Sequence, residues 1–274
     1  MLQRAIPSSG ETLPVIGLGT WIQFDVNLSE AERQSLSEVL QVLAENGGKV
    51  IDTSPMYGKS EQVIGELTAA SGIADQFFYA TKVWTTGREN GIQQMEASMR
   101  KMRRTVIDLM QIHNLVDWQT HLKTLQQWKE EGKIRYTGIT HYTTSAHEQL
   151  EQIIRSHDVD FLQVNYSIGV RNAELRLLPA AMDRGVAVLI NEPLEKGSLF
   201  NIVKGKALPP WAKEYNIDSW SQFFLKYIVS HPAVTCVIAG TSNPKNLQDN
   251  IQAGVGPIPD EKMRKKMVDF IENL

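Results

Sequence analysis

Short apolar runs, many of them β-branched, alternate with longer amphipathic stretches along the whole chain. The runs have the length and composition of buried strands, and they number eight: residues 15–19, 49–52, 77–82, 109–113, 136–140, 161–165, 187–191 and 234–239. The stretches between them are long enough for crossover helices, so each strand can lie parallel to the one before it. The pattern therefore predicts a repeated strand–helix unit.

Capping residues place the ends of two of the intervening helices. Ser29 and Glu32 have the spacing of a capping box, and the helix that they begin is predicted to end at Gly47. A second helix is predicted to begin at Asp117 and to end at Gly132. Both helices carry apolar residues on one face, so we expect both to pack against the sheet.

Two architectures fit this pattern, a closed barrel and a doubly wound open sheet. The eight strands run without a linker through 274 residues, and closed barrels of this type usually have roughly 250 residues. Gly17 and Gly19 lack the third glycine of a dinucleotide-binding fingerprint, which counts against a Rossmann half. We predict an α/β fold, a (β/α)8 TIM barrel forming a single domain over residues 1–274, with an N-terminal hairpin turning at Gly10 and an extra C-terminal helix from Asp260.

Composition narrows the class of partner. The chain is 42% hydrophobic and 22% charged with a net charge of −3, which is typical of a soluble globular protein. No basic run favours nucleic acid, and no apolar stretch is long enough to span a membrane. Cys236 is the single cysteine and the six histidines have no ligand spacing, so no disulfide or metal site is expected. We expect small-molecule partners and a cytoplasmic location, while export of a longer precursor stays open and the sequence does not indicate the oligomeric state.

The residues that could carry chemistry follow three successive predicted strands. Asp52, Lys82 and His113 end the second, third and fourth strands, and Tyr57 lies in the loop after the second. Active sites of closed barrels lie at the carboxyl ends of the strands. Taken singly, each residue has a structural explanation, such as a turn cap, a solvated ammonium group or a hydrogen-bonded imidazole. Their common position at one end of the barrel favours a joint function.

Their chemical types are consistent with proton transfer. A tyrosine with a pKa of about 10 keeps its proton at neutral pH and needs help to release it. The ammonium group of Lys82 would favour the phenolate of Tyr57, and Asp52 is a natural anchor for a desolvated lysine. A neutral His113 could orient a substrate carbonyl, or share the tyrosine proton at low pH.

The segments that carry these residues resemble the aldo-keto reductase family. Residues 50–61 are similar to the family's signature around its Asp and Tyr, residues 78–84 to its lysine strand, and residues 107–113 to its histidine strand. The resemblance extends over almost the whole chain and agrees in order, spacing and strand context. It implies reduction of a carbonyl group by hydride from C4 of a nicotinamide.

The resemblance also assigns roles. It implies a catalytic tetrad of Asp52, Tyr57, Lys82 and His113, with Tyr57 as general acid. Trp21 and Trp84 would form apolar walls of a substrate pocket that also contains His113. The residues that it places against the cofactor are Gly19, Thr20, Trp21, Asp52, Thr140, His141, Gln163, Asn191, Pro193, Leu194, Ala239, Gly240, Thr241, Ser242, Lys245, Asn246, Asp249 and Asn250.

Several positions depart from the family's pattern. His141 replaces an amide against the nicotinamide, and Asn191 stands where many members have a stacked aromatic ring. Gly240 and Asn246 occupy positions that are commonly basic, which leaves Lys245 as the nearest cation for a 2′-phosphate. We expect NADPH as the cofactor, with NADH as the alternative.

The start of the last barrel helix is a candidate anion site on physical grounds. Asn243 is a good N-cap and Pro244 a good first helical residue, so free backbone N–H groups are expected to face a phosphate there.

The leading hypothesis is an NADPH-dependent oxidoreductase that reduces aldehydes or ketones to alcohols. The alternative from another class is a redox-sensing or regulatory nicotinamide-binding subunit with little turnover, and a barrel hydrolase or lyase is a distant third. Only a short helix follows the phosphate-binding segment, so we expect an open substrate pocket.

Overall fold

Eight parallel strands close into a barrel in the computed structural model, which describes residues 1–274. A separate antiparallel pair precedes them. The pair is β1 (Gln3–Ala5) and β2 (Thr12–Pro14), and the barrel strands are β3 (Ile16–Gly19), β4 (Val50–Asp52), β5 (Phe78–Val83), β6 (Ile107–His113), β7 (Ile134–His141), β8 (Phe161–Asn165), β9 (Ala187–Asn191) and β10 (Val234–Gly240).

Ten α-helices surround the barrel or follow it in the chain. They are α1 (Glu30–Glu45), α2 (Ser60–Ala70), α3 (Arg88–Lys101), α4 (Trp118–Glu130), α5 (His147–Ser156), α6 (Leu177–Arg184), α7 (Leu199–Ile202), α8 (Trp220–Val229), α9 (Pro244–Gln252) and α10 (Glu261–Glu272). None of these helices combines the length and the apolar character that a membrane span requires.

The predicted barrel is confirmed, and each strand begins and ends within two residues of its sequence-based bounds. β10 pairs with β3, which closes the sheet. Ser29 and Glu32 form the predicted capping box at the start of α1, and Gly47 follows its end with a φ of 73°, in the left-handed region that favours glycine. Asp260 caps α10 by accepting a hydrogen bond from the backbone N–H of Met263.

The N-terminal pair forms the predicted hairpin and closes one end of the barrel. Ile6 and Leu13 are fully buried and belong to the same interior cluster as Val50 and Phe78, which lie at the first residues of β4 and β5. The hairpin therefore covers the amino ends of the strands. The opposite end, where the strands finish, is left for the site.

The predicted helix from Asp117 to Gly132 is present as α4, but the predicted side-chain cap is not. Asp117 precedes α4, but its backbone is left-handed (φ 46°) and its side chain does not cap the helix. Its Oδ2 instead accepts a hydrogen bond of 2.8 Å from the backbone N–H of Gly87 in the loop after β5. The carboxylate thus joins two loops at the open end of the barrel.

Candidate active site

Asp52, Lys82 and His113 meet at the carboxyl ends of β4, β5 and β6, as the sequence predicts. The register of the adjacent parallel strands explains why they meet. Asp52 pairs with Ala80, two residues before Lys82, and Lys82 pairs with Gln111, two residues before His113. Side chains two residues apart on a strand face the same side.

Asp52 and Lys82 form a buried ion pair. Oδ2 of Asp52 lies 2.7 Å from Nζ of Lys82, and the two side chains are only 6% and 0% exposed. Nζ also donates to the backbone oxygen of Thr53 at 2.8 Å. Burial favours the neutral amine, but the charge of Asp52 and the neighbouring Tyr57 together raise the pKa of Lys82 above its ordinary value. Lys82 therefore stays an ammonium ion.

Tyr57 lies against this pair at the mouth of the barrel. Nζ of Lys82 is 5.0 Å from the centroid of the Tyr57 ring, and the ring of His113 makes an edge contact with it at 5.8 Å between centroids. Burial raises the pKa of Tyr57, and the charge of Lys82 acts in the opposite direction. The phenol therefore holds its proton at rest, beside a cation able to stabilise the phenolate.

His113 is held as a neutral imidazole. Its Nδ1 lies 2.9 Å from Oγ of Ser54. Burial, with a further contribution from the Lys82 charge, lowers the pKa of His113 to about 3. Proton sharing between a charged His113 and Tyr57 is thus disfavoured over the ordinary pH range, whereas orientation of a carbonyl by a neutral ring fits the structure.

Two glutamines complete the surroundings of Asp52, and the sequence argument identified only one of them. Nε2 of Gln163 on β8 and Nε2 of Gln111 on β6 donate to Oδ1 of Asp52 at 2.8 and 3.1 Å. Gln111 precedes His113 by two residues, so the alternation of a strand already places it on the interior face. These bonds fix the carboxylate that holds Lys82.

An elongated cavity of about 810 Å³ opens beside Tyr57 and continues to α9. Its volume falls within the range of roughly 300–1,000 Å³ that is common for ligand sites. Most of the predicted contact residues line it: Gly19, Thr20, Trp21, Asp52, Tyr57, His113, Thr140, Gln163, Asn191, Pro193, Leu194, Ala239, Gly240, Thr241, Asn246, Asp249 and Asn250.

Three predicted cofactor contacts do not line this cavity. Nδ1 of His141 accepts a hydrogen bond from the backbone N–H of Thr143, and its ring stacks on Tyr142. The backbone oxygen of Ser242 accepts a hydrogen bond from Ser35, and the side chain of Lys245 is exposed. These contacts remain predictions.

Trp84 follows β5 and its ring lies 6.4 Å from that of His113. Its backbone is held by the side chain of Gln94 on α3, which accepts from the Trp84 N–H at 2.5 Å and donates to the Trp84 carbonyl at 3.1 Å. Trp84 is thus fixed beside His113 but does not line the cavity, so its role as a substrate wall stays a prediction.

The start of α9 differs from the expected anion site. The side chain of Asn243 caps the helix by accepting from the backbone N–H of Lys245 at 3.0 Å. The backbone oxygen of Asn243 accepts from the N–H groups of Asn246 and Leu247, and Pro244 has no N–H. The helix start therefore has its donors already satisfied.

The loop after β9 covers part of the cavity, which the sequence argument did not foresee. Lys196 lies over the rings of Trp21 and Tyr142, with Nζ 5.5 and 5.6 Å from their centroids, and forms an ion pair with Glu192 at 3.0 Å. Glu192, Glu195 and Lys196 all have positive φ, a conformation that is uncommon outside glycine and difficult to infer from sequence.

The site contains no group of three or more His, Cys, Asp or Glu side chains arranged to hold a metal ion, and neither does the rest of the structure. An ammonium-supported phenol and a neutral imidazole beside an elongated cavity can instead transfer a proton to a carbonyl oxygen.

Comparison with known proteins identifies the family of the chain. The chain matches the Aldo/keto reductase family over residues 15–267 and belongs to that family. It is 29% identical over 246 residues to methylglyoxal reductase YeaE of Escherichia coli (strain K12), covering 86% of this chain and 84% of the relative. It is 23% identical to the NADH-specific methylglyoxal reductase of Escherichia coli (strain K12), covering 88% of this chain and 90% of the relative.

Solved structures agree with the fold. The crystal structure of an aldo-keto reductase from Klebsiella pneumoniae in complex with NADPH superimposes with a TM-score of 0.80 at 23% identity, and the alignment covers 99% of this chain and 96% of that chain. The overall fold of the chain is thus that of a solved aldo-keto reductase. A carbonyl-reducing oxidoreductase is the activity that the family membership supports.

Proposed function

We propose that this chain reduces aldehydes or ketones to alcohols with NADPH, and that Tyr57 donates the proton. The ammonium group of Lys82, 5.0 Å from the centroid of the Tyr57 ring at the end of the cavity, is the observation that carries the proposal. When bound, the cofactor supplies a hydride from C4 of its nicotinamide to the carbonyl carbon.

The residues of the chain then have separate roles. Tyr57 donates its phenolic proton to the carbonyl oxygen as negative charge develops there, and Lys82 stabilises the resulting phenolate. The carboxylate of Asp52 lies 2.7 Å from the ammonium group of Lys82 and keeps it charged. If Ser54 donates to Nδ1 of His113, Nε2 carries the proton and can orient the carbonyl oxygen.

The cavity fits a dinucleotide by the chemistry of its lining. Gly19, Thr20 and Trp21 would contact the nicotinamide half. Oδ1 of Asn191 is buried without a hydrogen-bond partner, and Nδ2 of Asn191 is only loosely bonded to Gln163 at 3.5 Å. The amide of Asn191 therefore has unused hydrogen-bonding capacity and is suited to bind the carboxamide of a nicotinamide.

NADPH is the first choice of cofactor because a solved relative of the same fold carries it. NADH is the alternative, since a curated relative is named as an NADH-specific methylglyoxal reductase. Methylglyoxal is the first substrate to test, because two relatives are named for its reduction.

Purified protein should be mixed with NADPH or NADH and with methylglyoxal or a nitrobenzaldehyde, and oxidation of the nicotinamide followed by absorbance. We expect turnover that depends on both the aldehyde and the cofactor. Tight cofactor binding without turnover of any aldehyde would contradict the proposal and favour a redox-sensing or regulatory subunit.

A further inference from the structure

The proposed proton transfer depends on the separation of two side chains that belong to different elements. Tyr57 lies in the turn directly before α2, and Lys82 lies on β5, with Nζ 5.0 Å from the centroid of the Tyr57 ring. Stabilisation of a phenolate by an ammonium group falls with distance, and a misplacement of about 1 Å at a reacting group can cost on the order of 100-fold in rate. The contact between α2 and β5 therefore bears directly on the chemistry.

A buried hydrogen bond joins these two elements next to the site. Glu61 lies in the first turn of α2, and its Oε1 accepts from Oγ1 of Thr81 on β5 at 2.7 Å. Both residues are fully buried. Because side chains alternate along a strand, Thr81 faces the helices outside the barrel while its neighbour Lys82 faces the interior. The bond thus ties a residue four positions after Tyr57 to the residue before Lys82.

Packing alone does not account for a carboxyl group at this position. Oε2 of Glu61 is buried without a hydrogen-bond partner, and Nζ of Lys101, at 3.7 Å, belongs to a side chain that is 43% exposed. Burial raises the pKa of Glu61 above its ordinary value, because the site is unfavourable for a charged carboxylate. Apolar residues of similar volume often replace buried charged groups without loss of stability, so the bond to Thr81 is better explained by a geometric role.

The turn around Tyr57 is coupled to the start of α2. The backbone N–H of Tyr57 donates to the backbone oxygen of Ser54, and the backbone oxygen of Tyr57 accepts from the N–H of Ser60, both at 3.0 Å. Lys59, the residue before α2, gives the helix no side-chain cap. Its N–H donates at 2.9 Å to the side chain of Asp25, which is exposed. A shift of the first turn of α2 would therefore displace the phenol.

We propose that Glu61 is a positioning residue for carbonyl reduction, and that its hydrogen bond to Thr81 sets the separation between the phenol of Tyr57 and the ammonium group of Lys82. Neither Glu61 nor Thr81 lines the cavity, so both act through the other two residues and not on the substrate or the cofactor. The inference rests on the proposed function for the reaction that this separation serves.

Thr81→Val tests the bond with a small change of shape, because it replaces one hydroxyl with a methyl group. The single-turnover rate of nicotinamide oxidation should fall about 10-fold or more, since the phenolate is less well stabilised. The cofactor dissociation constant and KM for the aldehyde should stay within about two-fold, because the cavity lining is unchanged. The solvent deuterium isotope effect on the rate should rise, since proton donation is the impaired step. A crystal structure of the variant should show Nζ of Lys82 farther than 5.0 Å from the centroid of the Tyr57 ring.

Substitutions of Glu61 separate the effect of the bond from the stability of the fold, which denaturant unfolding measures. Glu61→Gln keeps an oxygen acceptor for Thr81 and should retain the rate within about three-fold. Glu61→Met removes the acceptor and the buried carboxyl, so it should lower the rate as Thr81→Val does without a matching loss of stability. The double variant of Glu61→Met and Thr81→Val should be no slower than either single variant, because both changes remove the same bond.

Thr68→Val is the matched control, because it is the same substitution toward the far end of α2. Thr68 is fully buried, and its Oγ1 donates to the backbone oxygen of Ile64 at 2.8 Å, so this variant also loses one buried hydroxyl bond. Its rate should stay within about two-fold of the wild type.

Rates of Thr81→Val and Glu61→Met within about three-fold of a wild type that turns over would reject the inference alone, whatever the stabilities of the variants. Equal losses of rate in Thr81→Val and Thr68→Val would overturn it as well, since the loss would then follow stability and not the separation of Tyr57 and Lys82. Absence of turnover in the wild type with every aldehyde would reject the proposed function, and the inference with it.

Discussion

The carboxylate of Asp52 lies 2.7 Å from the ammonium group of Lys82, and both side chains are almost completely removed from water. Two strands deliver them to the same point, and the amide groups of Gln111 and Gln163 occupy the other carboxylate oxygen. A buried ion pair is weak evidence for stability by itself. Removal of one partner, however, leaves the other as an uncompensated buried charge.

Lys82→Met should therefore lower the free energy of unfolding by about 3–5 kcal/mol, and Asp52→Asn should be destabilising for the same reason. The double variant should lose much less than the sum of the two single losses, because neither charge is left alone. Denaturant unfolding of the four proteins measures this coupling. Additive losses would mean that the two groups do not depend on each other.

His113 should remain neutral throughout the ordinary pH range. Burial, with a smaller contribution from Lys82, places its pKa at about 3, far below the ordinary value near 6.5. Protonation of His113 should therefore not lower the turnover number between pH 8 and pH 5. NMR titration of the His113 ring carbons measures the pKa directly. A midpoint near 6 would contradict the assignment and revive proton sharing with Tyr57.

His231 should make the protein less stable in mild acid. Burial, followed by the charge of Arg264, lowers its pKa to about 4 in the folded state. Between that value and about 6.5 the unfolded chain binds a proton that the folded chain does not, so the free energy of unfolding should fall as the pH falls through this window.

His231→Asn isolates this contribution, because an asparagine can still accept from the backbone N–H of Ala233, as Nδ1 of His231 does at 3.2 Å. Chemical denaturation at pH 5 and pH 7 measures the free energy of unfolding at each pH. The difference between the two values should be smaller for the variant than for the wild type. Identical differences in the two proteins would assign the pH dependence elsewhere.

Gln94 should influence binding of bulky substrates through Trp84. Its amide bonds both the N–H and the carbonyl of Trp84, at 2.5 and 3.1 Å. Gln94→Ala should raise KM for an aromatic aldehyde about 2- to 10-fold, with a smaller effect on kcat, because the pocket wall becomes less fixed. Gln93→Ala is the control, since Gln93 is the exposed neighbour on α3. Equal KM values for the two variants would show that Gln94 does not influence substrate binding through Trp84.

The sequence predicted the barrel and the proximity of Asp52, Lys82, Tyr57 and His113. Both follow from local sequence patterns. Strand runs and crossover lengths fix a parallel sheet, and parallel strands finish at one end. Gln111 could have been found by the same reasoning, since it lies two residues before His113 on an interior face.

The features that the sequence did not predict depend on contacts and backbone conformations that arise only in the folded structure. Asp117 has the sequence context of a helix cap, yet it bonds the N–H of Gly87, which is 30 residues away. Asn243 was expected to leave donors for a phosphate, and its own side chain and carbonyl use them. The cover formed by Lys196 depends on left-handed backbone at non-glycine residues, for which the sequence carries no periodic signal.

The central claim is that Tyr57 supplies the proton. The most direct measurement is the single-turnover rate of nicotinamide oxidation by Tyr57→Phe with saturating aldehyde, together with the cofactor dissociation constant of the same variant. The account predicts a loss of rate of about 100-fold or more with an unchanged dissociation constant, because the hydroxyl acts on the transition state. A rate within a few-fold of the wild type would show that another group donates the proton.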